Sequence, residues 1–145
     1  MNEELVDAMN KVLGDTFLTY FKAQSGHWNV ETRSFYADHT FLESIYSEIY
    51  ESIDSTAEWL RKIGAYAPTS LASLIAYASV TEETNVVSSM GIFTSLESSN
   101  NTVLVSLMRA YKLSEAAGEL GLSNYLQDRI AAHQKHAWML KATLK

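Results

Sequence analysis

The side chains best suited to chemistry in this sequence are four histidines and seventeen carboxylates. The chain has no cysteine, which excludes disulfides, thiol nucleophiles and thiolate metal sites. Two pairs lie one helical turn apart: His39 with Glu43, and Asp54 with Glu58. Side chains at this spacing share a helix face and can bind one cation together. An isolated pair of this kind is usually solvated surface, so its function depends on what the fold brings near it.

The distance between the two pairs predicts a site that two chains share. A rise of about 1.5 Å per residue separates His39 from Asp54 by roughly 22 Å, whereas metal–ligand bonds are about 2 Å long. The two residues lie within about 60° of each other around the helix. A second copy packed antiparallel across a two-fold axis near Tyr46 and Ser47 would therefore bring one chain's His39 to the other's Asp54.

The break after His27 is short, so we expect this residue to fold back beside His39. Two imidazoles from one subunit and two carboxylates from its partner would make a mixed nitrogen and oxygen shell. Such a shell suits Fe, Zn, Mn or Ni, and the donor types do not choose between these metals.

These side chains require helices to position them, and the composition favours an all-α chain. The length of 145 residues matches one domain, residues 1–145, and one proline with six glycines leaves few helix stops. Apolar residues at spacings of three and four predict a first helix over about residues 2–27. Its buried stripe comprises Leu5, Met9, Val12, Leu13, Phe17, Tyr20 and Phe21.

The same spacing predicts three more long helices. The second begins after Ser34 as N-cap and ends at Gly64. Pro68 forbids continuation, and Thr69 or Ser70 can cap a short helix in the connection that follows. A third long helix, with Met90 and Met108 on its apolar stripe, ends before Gly118, and the last runs from about Leu122 to the C-terminus.

Four long helices, with one long crossover between the second and third, describe a ferritin-like four-helix bundle with a short extra helix in that crossover. The prediction is weakest at residues 98–101, because serine and asparagine are poor helix formers.

The overall charge argues against several partners. Eleven basic and seventeen acidic residues give a net charge of −6, which opposes binding to a polyphosphate. The first fifteen residues carry Lys11 against four acids, so we expect neither a signal peptide nor a basic arm there. No stretch approaches the roughly 20 apolar residues of a membrane span. We therefore expect a cytoplasmic protein that does not enter membranes, and the charge argues against DNA binding.

The motif around these histidines and carboxylates resembles that of the Dps family of mini-ferritins. It consists of His27-Trp28-Asn29-Val30, then Phe35, His39 and Glu43, then Asp54 with Ala57-Glu58 and a closing Ile63-Gly64. The segment Lys135-His136-Ala137-Trp138-Met139-Leu140 is similar to the last helix of that family. One departure is Trp59, which stands where the family usually has arginine.

The resemblance implies a hollow homododecamer with two-iron ferroxidase centres between two-fold-related subunits. His27 and His39 would come from one subunit, Asp54 and Glu58 from the other, and Glu43 would complete the shell. No catalytic residue separate from these ligands is implied, although Trp28 adjoins them and could pass electrons. The implied function is oxidation of Fe²⁺ by hydrogen peroxide, or more slowly by O₂, with storage of ferric mineral and protection against oxidative damage.

Two alternatives stay open beside this function. One is a DNA-compacting or shell-forming protein whose metal site is vestigial, and the net charge and the missing basic arm argue against the DNA-compacting part. The other is a classical ferritin or a rubrerythrin-like enzyme with its di-iron site inside one bundle. Such sites use Glu-x-x-His pairs, and no glutamate here is followed three residues later by histidine.

Three acids and two histidines outside the predicted ligand set also attract notice. Glu115, Glu119 and Asp128 surround the turn before the last helix and either line an acidic channel that admits ions or form solvated surface. His133 lies on an apolar stripe with His136 beside it, and we expect both to be hydrogen-bonded core or surface residues rather than ligands.

Overall fold

The computed structural model describes residues 1–145 as five helices without a strand. They are α1 (Glu3–Asn29), α2 (Phe35–Lys62), α3 (Leu71–Ala76), α4 (Ser89–Ala116) and α5 (Leu120–Thr143). The four long helices and the short one between α2 and α4 agree with the all-α prediction. None of the helices is both long and apolar enough to cross a membrane.

Polar caps and two chain breakers set most of the helix ends. The Asn2 side chain accepts from the Leu5 amide at the start of α1, and Ser70 caps α3 by accepting from the Ser73 amide. Gly64 follows α2 with a φ of +99°, a backbone conformation that strongly favours glycine. Pro68 then keeps the chain from resuming a helix at once.

The predicted N-cap position of α2 at Ser34 is confirmed, but the expected capping hydrogen bond is not formed. The nearby link is instead made by Thr32, whose hydroxyl donates to the Asp38 carboxylate at 2.7 Å. The start of α2 is thus fixed by a loop residue that acts on the first helical turn.

Three residues assigned to buried stripes are exposed: Phe21 by 46%, Met90 by 60% and Met108 by 42%. Each lies at the edge of the buried face, next in sequence to a buried or half-buried residue. Phe21 packs its ring edge-on against Trp28 at 6.1 Å rather than against the core. The apolar spacing therefore located the helices correctly while overstating the width of their buried faces.

Helix α4 continues through residues 98–101, where propensity was poorest. Ser99 and Asn100 are buried there, and the Asn100 amide donates to the His133 carbonyl on α5 at 2.9 Å. A partner on another helix satisfies this side chain, so it does not compete with the backbone of its own helix.

Helix α1 packs against α2, α4 and α3, and α4 packs against α5. Close approach of α3 depends on Gly14, since a Cβ added there would lie 2.7 Å from the Leu74 carbonyl oxygen. The crossover is further held by buried Asp15, whose carboxylate accepts from the Ser79 and Val80 amides and from the Ser106 hydroxyl. These contacts tie α1, the crossover and α4 together.

The apolar core divides into two clusters along the bundle. One contains residues such as Leu13, Leu60 and Leu107, and the other contains residues such as Ile45, Leu96 and Leu140. Between them the buried side chains are mostly polar, a set we call the polar layer: Asp15, Thr16, Thr19, Glu48, Ser52, Thr56, Ser99, Asn100, Arg129, His133 and His136. Glu48 alone in this layer is half-buried rather than buried. The middle of a four-helix bundle is where such folds hold cofactors and metals, so these residues bear on function.

Candidate metal site at the ends of α1 and α2

His27 and His39 lie side by side where α1 ends and α2 begins. His27 is in the last turn of α1, and His39 follows on the second turn of α2 after a loop of five residues, 30–34. Their rings stack with centroids 3.6 Å apart and planes 14° from parallel. The juxtaposition expected from the short break is therefore present within one chain.

Each of these imidazoles is fixed by the backbone of the other. Nδ1 of His27 lies 2.7 Å from the His39 carbonyl oxygen, and Nδ1 of His39 lies 2.7 Å from the His27 carbonyl oxygen. A carbonyl only accepts, so both Nδ1 atoms carry the proton and donate. The neutral rings then hold their lone pairs on Nε2, where the chain supplies no partner. Metal-binding histidines are commonly oriented by this kind of hydrogen bond.

Aromatic and acidic side chains surround the histidine pair. Tyr46 packs edge-on against His27 at 5.2 Å, and Phe35 stacks on His39 at 5.0 Å. The Tyr46 hydroxyl lies 3.5 Å from Oε1 of Glu43, which is a weak contact that leaves this exposed carboxylate free to move. One chain thus gathers two nitrogen donors and one nearby carboxylate.

The other two predicted ligands lie elsewhere on α2. Asp54 and Glu58 are exposed on later turns of the helix and make no ion pair within the chain. No three histidine or acidic side chains of the single chain are arranged to hold a metal ion. The chain by itself therefore brings together only part of the predicted donor set, and the assignment of Asp54 and Glu58 stays a prediction.

The two tryptophans near the motif differ in their surroundings. Trp28 is 59% exposed beside His27 and contacts Phe21. Trp59 packs against α5, where its ring meets Gly121, and the Lys62 ammonium lies 4.2 Å from the ring centroid. In place of the family's arginine, this residue thus contributes to packing between helices.

Glu115, Glu119 and Asp128 are all exposed around the turn between α4 and α5. Gly118 makes this turn with a φ of +73°. Exposure fits both interpretations of these acids, so a channel role for them stays a prediction.

A second polar cluster, within the polar layer, was not found from the sequence. Arg129 on α5 donates through both terminal nitrogens to the Glu48 carboxylate on α2, and His136 Nε2 donates to the same carboxylate at 2.7 Å. His133 bonds to Asn100 and Arg129, which confirms that His133 and His136 are hydrogen-bonded residues of the core. The one available signal was Arg129 itself, a charge one turn from Leu126 and His133 on the buried stripe of α5.

This cluster lowers the pKa values of Glu48 and His133. Burial alone would raise the pKa of Glu48, but hydrogen bonds from His136 and Arg129, together with their charges, hold it well below its usual value. Burial lowers the pKa of His133 to about 3, and the positive charges of Arg129 and His136 act in the same direction. At neutral pH, Glu48 is therefore ionised and His133 is neutral.

Comparison with known proteins identifies the family to which this fold belongs. The ferritin-like domain family matches residues 6–145, so the chain belongs to that family. Its relatives include DNA protection during starvation protein 2 of Bacillus anthracis, which is 25% identical over 99% of both chains. Another is the DNA protection during starvation protein of Brevibacillus brevis, 28% identical over 94% of this chain and 92% of that one.

The solved structures lead to the same group of proteins. A Dps protein from Vibrio cholerae, described as a member of a broad superfamily of ferritin-like diiron-carboxylate proteins, superposes with a TM-score of 0.92. It is 26% identical, and the match covers 99% of this chain and 90% of that chain. The ferritin-like fold and the resemblance to the Dps family, both read from the sequence, are thereby confirmed.

Proposed function

We propose that this protein oxidises Fe²⁺ at centres shared by two subunits and stores the ferric product inside a hollow shell. The observation that carries the proposal is the locked pair of His27 and His39, whose Nε2 lone pairs have no partner in their own chain. Membership of the ferritin-like family supports it, because a relative of known structure is described as a diiron-carboxylate protein.

In this proposal iron is the substrate, and the donor set suits it. Imidazole and carboxylate ligands bind Fe²⁺, and the negative carboxylates Glu43, Asp54 and Glu58 favour Fe³⁺ by offsetting its greater charge. Two Fe²⁺ ions supply the two electrons that, with two protons, reduce one hydrogen peroxide to two water molecules. O₂ is a slower oxidant by family resemblance.

The assembly is proposed to be a homododecamer located in the cytoplasm. A closed shell follows from resemblance to Dps proteins, and the shared centre requires an isologous contact across a two-fold axis of that shell. The 22 Å or so of α2 between His39 and Asp54 supports this contact, because no single chain could close the site over that length.

Two named relatives are DNA protection proteins. For this chain we propose that any such protection works by removing iron and peroxide rather than by coating DNA. The net charge of −6 supports this proposal, because phosphate contacts require a surplus of lysine and arginine.

Mixed assembly of two variants tests the shared centre. His39→Ala and Asp54→Ala proteins should each lose rapid Fe²⁺ oxidation, because every centre then lacks one ligand. After denaturation and joint refolding at equal amounts, half the subunit pairs are mixed, and each mixed pair keeps one intact centre. The initial rate of ferric absorbance should therefore recover to about a quarter of the wild-type rate.

A matched control uses two variants on the same side of the centre. Joint refolding of His27→Ala with His39→Ala should restore nothing, because both imidazoles of a centre come from one chain. Equal recovery in both mixtures, or none in either, would contradict a centre divided between subunits in this way.

A further inference from the structure

Part of the polar layer is a hydrogen-bonded cluster that the proposed iron site does not use. It is formed by Glu48 of α2, Asn100 of α4, and Arg129, His133 and His136 of α5. Arg129 and both histidines are less than a tenth exposed. At the centre of the cluster lies the guanidinium of Arg129, with two contacts to the Glu48 carboxylate.

His133 is oriented as a ligand would be. Its Nδ1–H donates to Oδ1 of Asn100 at 2.7 Å, and the Asn100 amide donates back to the His133 carbonyl at 2.9 Å. These bonds fix the tautomer and place the lone pair on Nε2, 3.1 Å from Nη2 of Arg129. Arginine can only donate, so this lone pair accepts from the positively charged side chain of Arg129.

The Glu48 carboxylate also contacts this guanidinium, and His136 reaches the cluster through that carboxylate. Nη2 is 3.1 Å from Oε1 of Glu48, and that oxygen also accepts from Nε2 of His136 at 2.7 Å. Two imidazoles and one carboxylate are a donor set that binds Fe²⁺ in many enzymes. In this structure hydrogen bonds of 2.7 to 3.1 Å join these groups to Arg129 or to each other, and His136 Nε2 would give up its proton to bind a metal. Metal–ligand bonds are about 2 Å long, and no preformed metal group is present.

We propose that Glu48, His133 and His136 form a cation pocket inside the bundle, and that Arg129 fills it and thereby excludes divalent metal. A guanidinium keeps its charge at every pH the protein meets, so the pocket cannot be emptied by deprotonation. Arg129 is in this sense a specificity-determining residue, because it leaves the subunit interface as the place for metal. The inference stands whether or not that interface oxidises iron.

The test removes the guanidinium in a chain whose interface donors are also removed. In a His39→Ala/Asp54→Ala background, Arg129→Met replaces the charge with an apolar side chain of similar length. The metal-free protein is titrated with Co²⁺, and binding is followed by equilibrium dialysis and by the visible d–d absorption of the bound ion. The background should bind no tightly held Co²⁺, and the Arg129→Met protein should bind about one per chain.

Two further variants separate a metal pocket from general loosening of the core. Arg129→Lys keeps a positive charge at the position and should bind as little Co²⁺ as the background. Adding His133→Leu to Arg129→Met removes one donor and should weaken binding at least about tenfold. Arg129→Gln, which retains hydrogen-bond donors for Glu48, replaces Arg129→Met if circular dichroism shows the latter to be unfolded without metal.

Absence of Co²⁺ uptake by a folded Arg129→Met or Arg129→Gln protein would overturn the proposal. Uptake that survives the loss of His133, or that Arg129→Lys permits equally, would overturn it as well.

Discussion

At the scale of single residues, the two histidine environments show how hydrogen bonds assign different tasks to one side chain. His27 and His39 donate from Nδ1 to each other's carbonyl and leave Nε2 without a hydrogen-bond partner in the chain. His133 has the same tautomer, but its Nε2 is covered by Arg129. Both environments orient a lone pair, and the difference lies in what occupies the space in front of it.

The neutral state of His133 predicts a dependence of stability on pH. Its pKa is lowered to about 3 in the folded chain, so between pH 6.5 and 3 only the unfolded chain takes up this proton. Its stabilising effect is full above pH 6.5, and the free energy of unfolding should fall below that pH by up to about 1.4 kcal/mol per pH unit. The lowered pKa of Glu48 adds a further loss below about pH 4.5.

Urea unfolding at pH 7.5, 6 and 5 measures this effect. His133→Gln can still accept from Arg129 but does not titrate, so its stability should fall less steeply between pH 6.5 and 5. Parallel pH profiles for the two proteins would show that His133 is not the group responsible.

At the scale of elements, the helices were predictable and their cross-connections were not. Spacing of apolar residues, Gly64 and Pro68 act within one helix or turn, so local sequence was enough to place α1 to α5. The continuity of α4 through Asn100 depends on His133, which is 33 residues away in the chain. The pairing of Arg129 with Glu48 spans 81 residues. No periodicity within one helix reports such partners.

The same limit applies to the candidate site. The short break made the meeting of His27 with His39 predictable, because few residues separate the two helices. The two hydrogen bonds, from each ring to the other residue's carbonyl, were not predictable, because they depend on the angle between α1 and α2. The roles of Asp54 and Glu58 depend on a neighbouring chain and stay predictions.

The crossover gives a test at this scale. Asp15→Ala would leave the Ser79 and Val80 amides and the Ser106 hydroxyl without their shared acceptor. Val80 and Ser106 are buried, whereas Ser79 is exposed and its amide can turn to water. An unmet buried polar group costs about 1–3 kcal/mol, so for two such groups we expect a loss of about 2–6 kcal/mol in the free energy of unfolding. Hydrogen exchange at the Val80 amide should accelerate at the same time.

Ser106→Ala is the control, since it removes one of the three donors and leaves Asp15 bound to the crossover. It should cost about 1 kcal/mol and leave exchange at Val80 nearly unchanged. If exchange at Val80 were equally slow in all three proteins, Asp15 would not be what holds the crossover to α1.

At the scale of the whole molecule, charge distinguishes the proposed function from DNA compaction. The chain carries eleven basic and seventeen acidic residues, and Lys141 and Lys145 near its C-terminal end do not reverse that balance. We predict no retardation of linear duplex DNA by the assembled protein in a gel run at low salt, where phosphate contacts are strongest. The assay is repeated with Mg²⁺, which can bridge acidic surfaces to phosphate. A shift without Mg²⁺ would restore the DNA-compacting alternative.

The polar layer between the two apolar clusters also limits how the helices can align. Sliding α5 by one turn, about 5.4 Å, would carry Arg129 away from Glu48, in one direction to the level of Leu126 in an apolar cluster. A buried charge without its partner costs several kcal/mol, whereas leucines can exchange neighbours at little cost. The polar layer therefore fixes the register of the helices along the bundle axis. It makes one register much more stable than the shifted ones, which an all-apolar interior would tolerate.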